Sequence, residues 1–129
     1  MIFETPKKIL ALSPHTDDIE LGCAGTLNRL KGLGSEIFIL NFSLAPPSEG
    51  YDESMIKKEF SSSASLIGAD FKMLNLPIRH LSEHRQQILD ELFKLNSEHN
   101  FDLVFCHSTY DQHQDHQTVQ AEAFRAFKN

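Results

Sequence analysis

The chain has 129 residues, 40% of them apolar and 23% charged, which is the size and make-up of one globular domain. Twelve Lys and Arg against eighteen Asp and Glu leave a formal charge of −6, so no basic footprint for nucleic acid or an anionic membrane is expected. No run approaches the roughly 20 apolar residues of a membrane helix. The start, MIFETPKKILAL, lacks the basic-then-apolar pattern of a signal peptide. Two cysteines, Cys23 and Cys106, make no disulfide framework, and a reducing, cytoplasmic setting is expected. Histidine stands out, with seven residues, four of them between positions 99 and 116.

Lys8–Ser13 is a short apolar run stopped by Pro14, which predicts a buried strand. Across Asp17–Leu33, apolar residues recur at spacings of three and four, predicting one amphipathic helix capped near Gly34. Glu36–Leu44 predicts a second strand, and Ala45–Gly50 a loop, since two prolines and a glycine punctuate it. A second helix is expected over Asp52–Ile67, stopped by Gly68, and a third strand over Phe71–Leu76. Ser82 is the expected N-cap of a third helix running to about His99, with Ile88, Leu89, Leu92, Phe93 and Leu95 inward. Asp102–His107 predicts a fourth strand and Asp115–Lys128 a fourth helix. Cys23 and Cys106 read as small core residues, and His80, His84 and His99 as solvent-facing.

Four strand–helix units predict an α/β fold, a Rossmann-like three-layer α/β/α domain with a mostly parallel sheet. Ligands of such sheets bind beyond the carboxyl ends of the strands. Pro14–Asp18 follows the first strand and His107–His116 the fourth, so the two His/Asp-rich segments share one sheet edge. If these strands are neighbours, the two loops face each other.

His15 and Asp18 lie three apart on a strand-to-helix turn, a spacing that lets imidazole and carboxylate converge on one ion. A third ligand, His113 or His116, would complete a three-ligand site with an open position, the pattern of catalytic zinc. Asp17 is then the nearest candidate for a general base, and the unused histidine for an acid or oxyanion donor. Asp115 is placed to orient an imidazole. Asp111 is expected to hold the second loop, and His107 ends the fourth strand beside the site.

These residues carry a resemblance. Ser13-Pro14-His15-Thr16-Asp17-Asp18 and the following Ile19–Leu27 resemble the HPDDE-type first motif of the LmbE-like, PIG-L family of zinc-dependent deacetylases. His113-Gln114-Asp115-His116 resembles that family's second motif, HxDH. Between them, Glu59, Ala64 and Gly68 match a helix pattern E…A…LG. The run Leu76–Arg79 with His84–Leu89 is similar to the family's segment before the third helix. The resemblance implies a Rossmann-like fold, one zinc ion per chain and hydrolysis of the acetamide of N-acetylglucosamine-type sugars or glycoconjugates. It implies His15, Asp18 and His116 as zinc ligands and Asp17 as the base that activates water. It implies His113 as the group that stabilises the oxyanion or protonates the leaving amine, with Asp115 orienting it.

Three departures accompany it. Thr16 stands where the family usually has proline, and Ile19 where glutamate is usual, though Glu20 follows. The arginine often found just before the matching glutamate is not apparent, Lys57 and Lys58 being the nearest cations. Family members are also usually longer, so a C-terminally truncated domain, with a whole metal site and an incomplete pocket, is expected. An oligomer is compatible with this reading. The rival functions are a metal-dependent phosphoesterase, which needs more carboxylates for a two-metal clamp, and a non-catalytic domain that keeps the fold.

Overall fold

Four parallel strands form the sheet in the order β3-β2-β1-β4 in a computed structural model that describes residues 4–45 and 50–128. The strands are β1 (Lys8–Ser13), β2 (Glu36–Leu44), β3 (Asp70–Pro77) and β4 (Leu103–Phe105). The helices are α1 (Asp18–Gly22), α2 (Ala24–Gly32), α3 (Glu53–Ile67), α4 (Arg85–His99) and α5 (Gln114–Ala126).

Side chains alternate across a strand, and the two faces of this sheet are covered by different helices. Ile9, Ala11, Ile37 and Ile39 pack with Ile19, Leu27, Phe60, Ala64 and Ile67 of α1, α2 and α3. Leu10, Leu12, Leu40 and Phe42 pack with Ile88, Leu92, Leu95, Val119 and Ala123 of α4 and α5. Ile9, Leu10 and Ala11 are wholly buried, as a central parallel strand requires. Each fully buried Leu or Ile contributes roughly 1.5–3 kcal/mol of transfer free energy.

The chain reverses direction across the sheet at β1. From β1 it moves outward to β2 and β3, then crosses back to place β4 on the other side of β1. The loops after β1 and β4 therefore meet at the switch point, where open parallel sheets bind ligands.

Several elements depart from the sequence expectation. The Asp17–Leu33 helix is broken at Cys23, whose φ of −148° and ψ of 8° leave the helical region. Gly22 and Gly25 flank the break and weaken the helix there. Leu21, one of the apolar residues of the predicted spacing pattern, is 83% exposed. Gly34 does help stop the helix, taking φ 98° just after the Leu33 cap. At α3, Asp52 caps the start by accepting the Ser54 amide at 3.0 Å, and Gly68 ends it at φ 77°.

Ser82 is not an N-cap. It lies inside a 3₁₀ turn, Leu81–His84, which the buried Leu81 draws inward, and α4 begins after His84. Phe93 faces solvent rather than the core. β4 is shorter than expected and lies at the sheet edge, so Cys106 falls outside the strand and is exposed, whereas Cys23 is half-buried. His99 is half-buried, its ring stacked on Phe101 at 5.2 Å. The expected Ala45–Gly50 loop falls largely on residues 46–49, outside the described residues. Among the described residues no helix is long and apolar enough to cross a membrane.

Candidate metal centre

Buried polar groups of β2 fix the loop after β1. The Asn41 amide donates to the Ser13 carbonyl at 3.1 Å. Ser43 donates to the Pro14 carbonyl from both its backbone N–H (3.1 Å) and its hydroxyl (2.6 Å). The Ser13 hydroxyl in turn donates to the His15 carbonyl. Sequence reasoning missed Asn41 and Ser43. Their signal was two polar residues, two apart, in an otherwise apolar strand.

Held this way, the His15 amide donates to Asp18 Oδ2 at 2.7 Å. The other Asp18 oxygen, Oδ1, lies 3.2 Å from His116 Nε2. His15 Nδ1 stands 3.1 Å from His116 Nε2 and 3.5 Å from Asp18 Oδ2. Three donor groups, from the β1 loop, α1 and α5, thus meet at one point. A tetrahedral zinc with ligands at about 2.1 Å spaces neighbouring ligand atoms about 3.4 Å apart; each pair here is near that spacing, with the two Asp18 contacts running to its two different oxygens.

Each imidazole is backed by a carboxylate. His15 Nε2 lies 3.0 Å from Asp115 Oδ2, and His116 Nδ1 lies 2.9 Å from Asp111 Oδ2. A carboxylate accepts, so each backed nitrogen carries the proton, and the lone pairs at His15 Nδ1 and His116 Nε2 turn inward. Asp115 was expected to orient His113; the structure puts it on His15 instead. The reason is its burial: it is 1% exposed and points into the fold, away from the more exposed His113. There it also accepts the amides of Arg79 (2.7 Å) and Leu81 (3.3 Å), tying down the turn after β3.

His113 has a different role in the geometry. It caps α5, its Nδ1 accepting the Asp115 amide at 3.1 Å. An accepting Nδ1 leaves the proton on Nε2, so this ring offers an N–H rather than a lone pair. Asp111 holds the loop as expected, its Oδ1 accepting the His113 amide at 2.8 Å. Asp17 is exposed and makes no side-chain cap bond to α1, so its carboxylate is not spent on the helix.

His107 is drawn further into the cluster than the sequence indicated. Its Nε2 is 3.5 Å from Asp18 Oδ1 and its ring stacks on His116 at 3.8 Å. Its Nδ1 is buried without a hydrogen-bond partner. Among the described residues two trios bring one ligand atom each within ion-binding spacing, His15 with His113 and His116, and Asp18 with His107 and His116; the expected set of His15, Asp18 and His116 takes members from both and is neither of them. Burial tends to raise the Asp18 carboxyl, but the hydrogen bond from His107, the amide of His15 and the charges of His116 and His15 outweigh it. The result is a carboxyl held below its ordinary value. An anionic Asp18 beside inward imidazole lone pairs is the donor set a divalent cation takes.

His15, Thr16, Asp17 and His113 line a cavity of about 740 Å³, within the range of small-molecule sites. Its other walls include Glu20 of α1, Ile56, Glu59, Phe60 and Ser63 of α3, and Ile78 and Arg79 after β3.

The family described as PIG-L, GlcNAc-PI de-N-acetylase, matches residues 10–127. The chain belongs to the PIG-L family. It is 29% identical over 120 residues to the uncharacterized deacetylase YaiS of Escherichia coli (strain K12), covering 88% of this chain and 64% of YaiS. Among solved structures it is similar to the conserved protein TT1542 from Thermus thermophilus, with a TM-score of 0.76 and 30% identity. That match covers 92% of this chain and 54% of TT1542. It is also similar to the N,N'-diacetylchitobiose deacetylase from Pyrococcus horikoshii, with a TM-score of 0.73 and 26% identity, over 94% of this chain and 49% of that one. The chain thus spans about half to two thirds of the length of these PIG-L relatives.

Proposed function

We propose that this PIG-L chain is a zinc-dependent N-deacetylase that hydrolyses the acetamide of an N-acetylglucosamine-type amino sugar or glycoconjugate. The observation that carries the reading is the pair of carboxylate-backed imidazoles, His15 and His116, converging with Asp18 beside a cavity that also holds Asp17 and His113. His15, Asp18 and His116 would hold the zinc. His113 is the poorer ligand, because its Nδ1 is engaged by a backbone amide and its Nε2 carries the proton.

Bound there, the ion supplies Lewis-acid polarisation of the acetyl carbonyl and a lowered pKa for water. Asp17 accepts a proton from the attacking water, whose oxygen adds to the carbonyl carbon. The His113 Nε2–H donates to the oxygen on which negative charge develops. As the C–N bond breaks, the proton held by Asp17 passes to the departing nitrogen, giving acetate and a free amino sugar. Asp115 and Asp111 keep the two ligand imidazoles in the required tautomer. Ile56, Phe60 and Ile78 supply an apolar lining suited to the face of a pyranose ring.

The test is metal content by mass spectrometry on the purified chain and on His116→Ala, with acetate release from N-acetylglucosamine measured in parallel. The reading expects about one zinc per chain, lost in the variant, and acetate release only with zinc bound. A chain that takes up no zinc, or takes it up and releases no acetate from any N-acetyl sugar, refutes the assignment.

A further inference from the structure

The cavity beside the metal centre is acidic, and its walls offer little to an anion. Asp17, Glu20 and Glu59 all line it, and Arg79 is the one Lys or Arg among the described lining residues. On α3 the cavity takes residues 56, 59, 60 and 63, which share one helical face. Lys57 and Lys58 fall on other faces, and Lys57 is paired with Glu53 at 2.5 Å.

Backbone amides are the other common donors to phosphate, and three of those in the lining are engaged. The amides of His15, Arg79 and His113 donate to Asp18, Asp115 and Asp111 respectively. Phosphate sites are built from free amides, arginines and lysines, and among the described lining side chains Arg79 alone faces three carboxylates, those of Asp17, Glu20 and Glu59.

Glu20 is fixed as part of this wall. Its Oε1 accepts the Ser63 hydroxyl at 2.5 Å, tying α1 to α3, and its Oε2 is buried with no hydrogen-bond partner. Carboxylates accept hydrogen bonds from hydroxyl and ammonium groups and repel phosphate oxygens.

We propose that the wall carrying Glu20 and Glu59 makes the site selective for amino sugars without a phosphate, uncharged before deacetylation and cationic after it. This rests on the deacetylase reading and narrows its substrate class. It disfavours sugars that carry a phosphate on the ring itself, and for the same reason a phosphoesterase.

The experiment compares N-acetylglucosamine with N-acetylglucosamine 6-phosphate on the zinc-loaded chain, reading acetate release at low and high ionic strength. We expect kcat/KM to favour the neutral sugar at least tenfold at low salt. The preference should shrink toward unity near 0.5 M salt, where charges more than about 3–5 Å apart are screened. Glu59→Gln, an exposed position that tolerates the change, should narrow the low-salt ratio about threefold. Equal rates, a preference for the phosphate, or a ratio indifferent to salt and to Glu59→Gln overturns the proposal and leaves the deacetylase reading intact. Absence of acetate from both sugars refutes that reading instead. An NMR titration of the zinc-loaded chain with glucosamine and glucosamine 6-phosphate then still decides the selectivity. Tighter binding of glucosamine supports the wall, whereas equal, reversed or absent binding overturns it.

Discussion

Replacing Asp115 with Asn should weaken both the fold and the metal centre, and the two losses can be read separately. Asp115 is buried, and its oxygens serve three donors: His15 Nε2 and the Arg79 amide on Oδ2, and the Leu81 amide on Oδ1. Asparagine has the same shape but one oxygen. Its best placement keeps that oxygen on the two shorter contacts and turns its NH₂ against the Leu81 amide, 3.3 Å away in the parent. One buried donor then has no acceptor, which costs about 1–3 kcal/mol. That is a large part of the roughly 5–15 kcal/mol that holds a domain together. Loss of the negative charge behind His15 should also lower zinc affinity by roughly 10–100-fold. Asp111→Asn makes the control, since Asp111 is partly exposed and backs only His116 and the loop. It should cost a similar factor in zinc affinity with a much smaller loss of stability. Urea unfolding of the metal-free proteins measures the first quantity, and competition with a chelator of known affinity the second. If Asp115→Asn binds zinc as tightly as the parent, the backing of His15 is not what tunes the site, and the tautomer argument fails.

Asp17→Asn should keep its zinc and lose roughly 10²–10⁴-fold in acetate release, as removal of a general base does; metal content beside initial rates checks both halves. His113→Ala should likewise keep zinc, lose about 10²–10³-fold in kcat, and unfold about 1 kcal/mol more easily because α5 loses its cap. Acid should weaken the β1–β4 edge. The amides of Lys8 and Lys7 hold the Asp102 carboxyl below its ordinary value of 3.8. A lowered folded value means stability that is full above 3.8 and is lost as pH falls through the folded value. Urea midpoints between about pH 5 and pH 2 should therefore drop less steeply in Asp102→Asn than in the parent, and parallel slopes would contradict this.

Most of the fold was legible because burial and periodicity agree in it. β1 and β2 read as apolar runs and are buried on both faces, and α3 carries both of its boundary signals in the sequence, Asp52 at the start and Gly68 at the end. The errors fall where tertiary contacts overrule local pattern. Nothing in the spacing of Asp17–Leu33 separates one helix from two; the break at Cys23 is a matter of how each piece meets the sheet. Ser82 has the chemistry of a cap, but Leu81 is pulled in by Asp115 and the chain turns tightly around it. The six candidate residues were legible as one group, since both polar segments follow strands at one edge, and the neighbouring of β1 and β4 brings those segments together. What was not legible was the pairing among them. Sequence places Asp115 between two histidines, and only the fold shows that it reaches a third, His15, a hundred residues away.

That long-range pairing explains how a chain spanning about half the length of its structural relatives still brings the proposed ligands His15, Asp18 and His116 together. One segment supplies an imidazole and a carboxylate on a loop pinned by buried groups of β2; the other supplies an imidazole and both backing carboxylates from within six residues of α5 and its approach. Each segment completes the other: Asp115 backs His15, and Asp18 faces His116. Neither arrangement survives separation of β1 from β4, whose pairing is only three residues long. Rigidity at the centre of the sheet therefore has to be passed to the site across its shortest strand. The buried Asp115 does this by tying α5, the β1 loop and the turn after β3 at a single carboxylate, so the residue that sets the tautomer of His15 also holds together three of the segments that line the cavity.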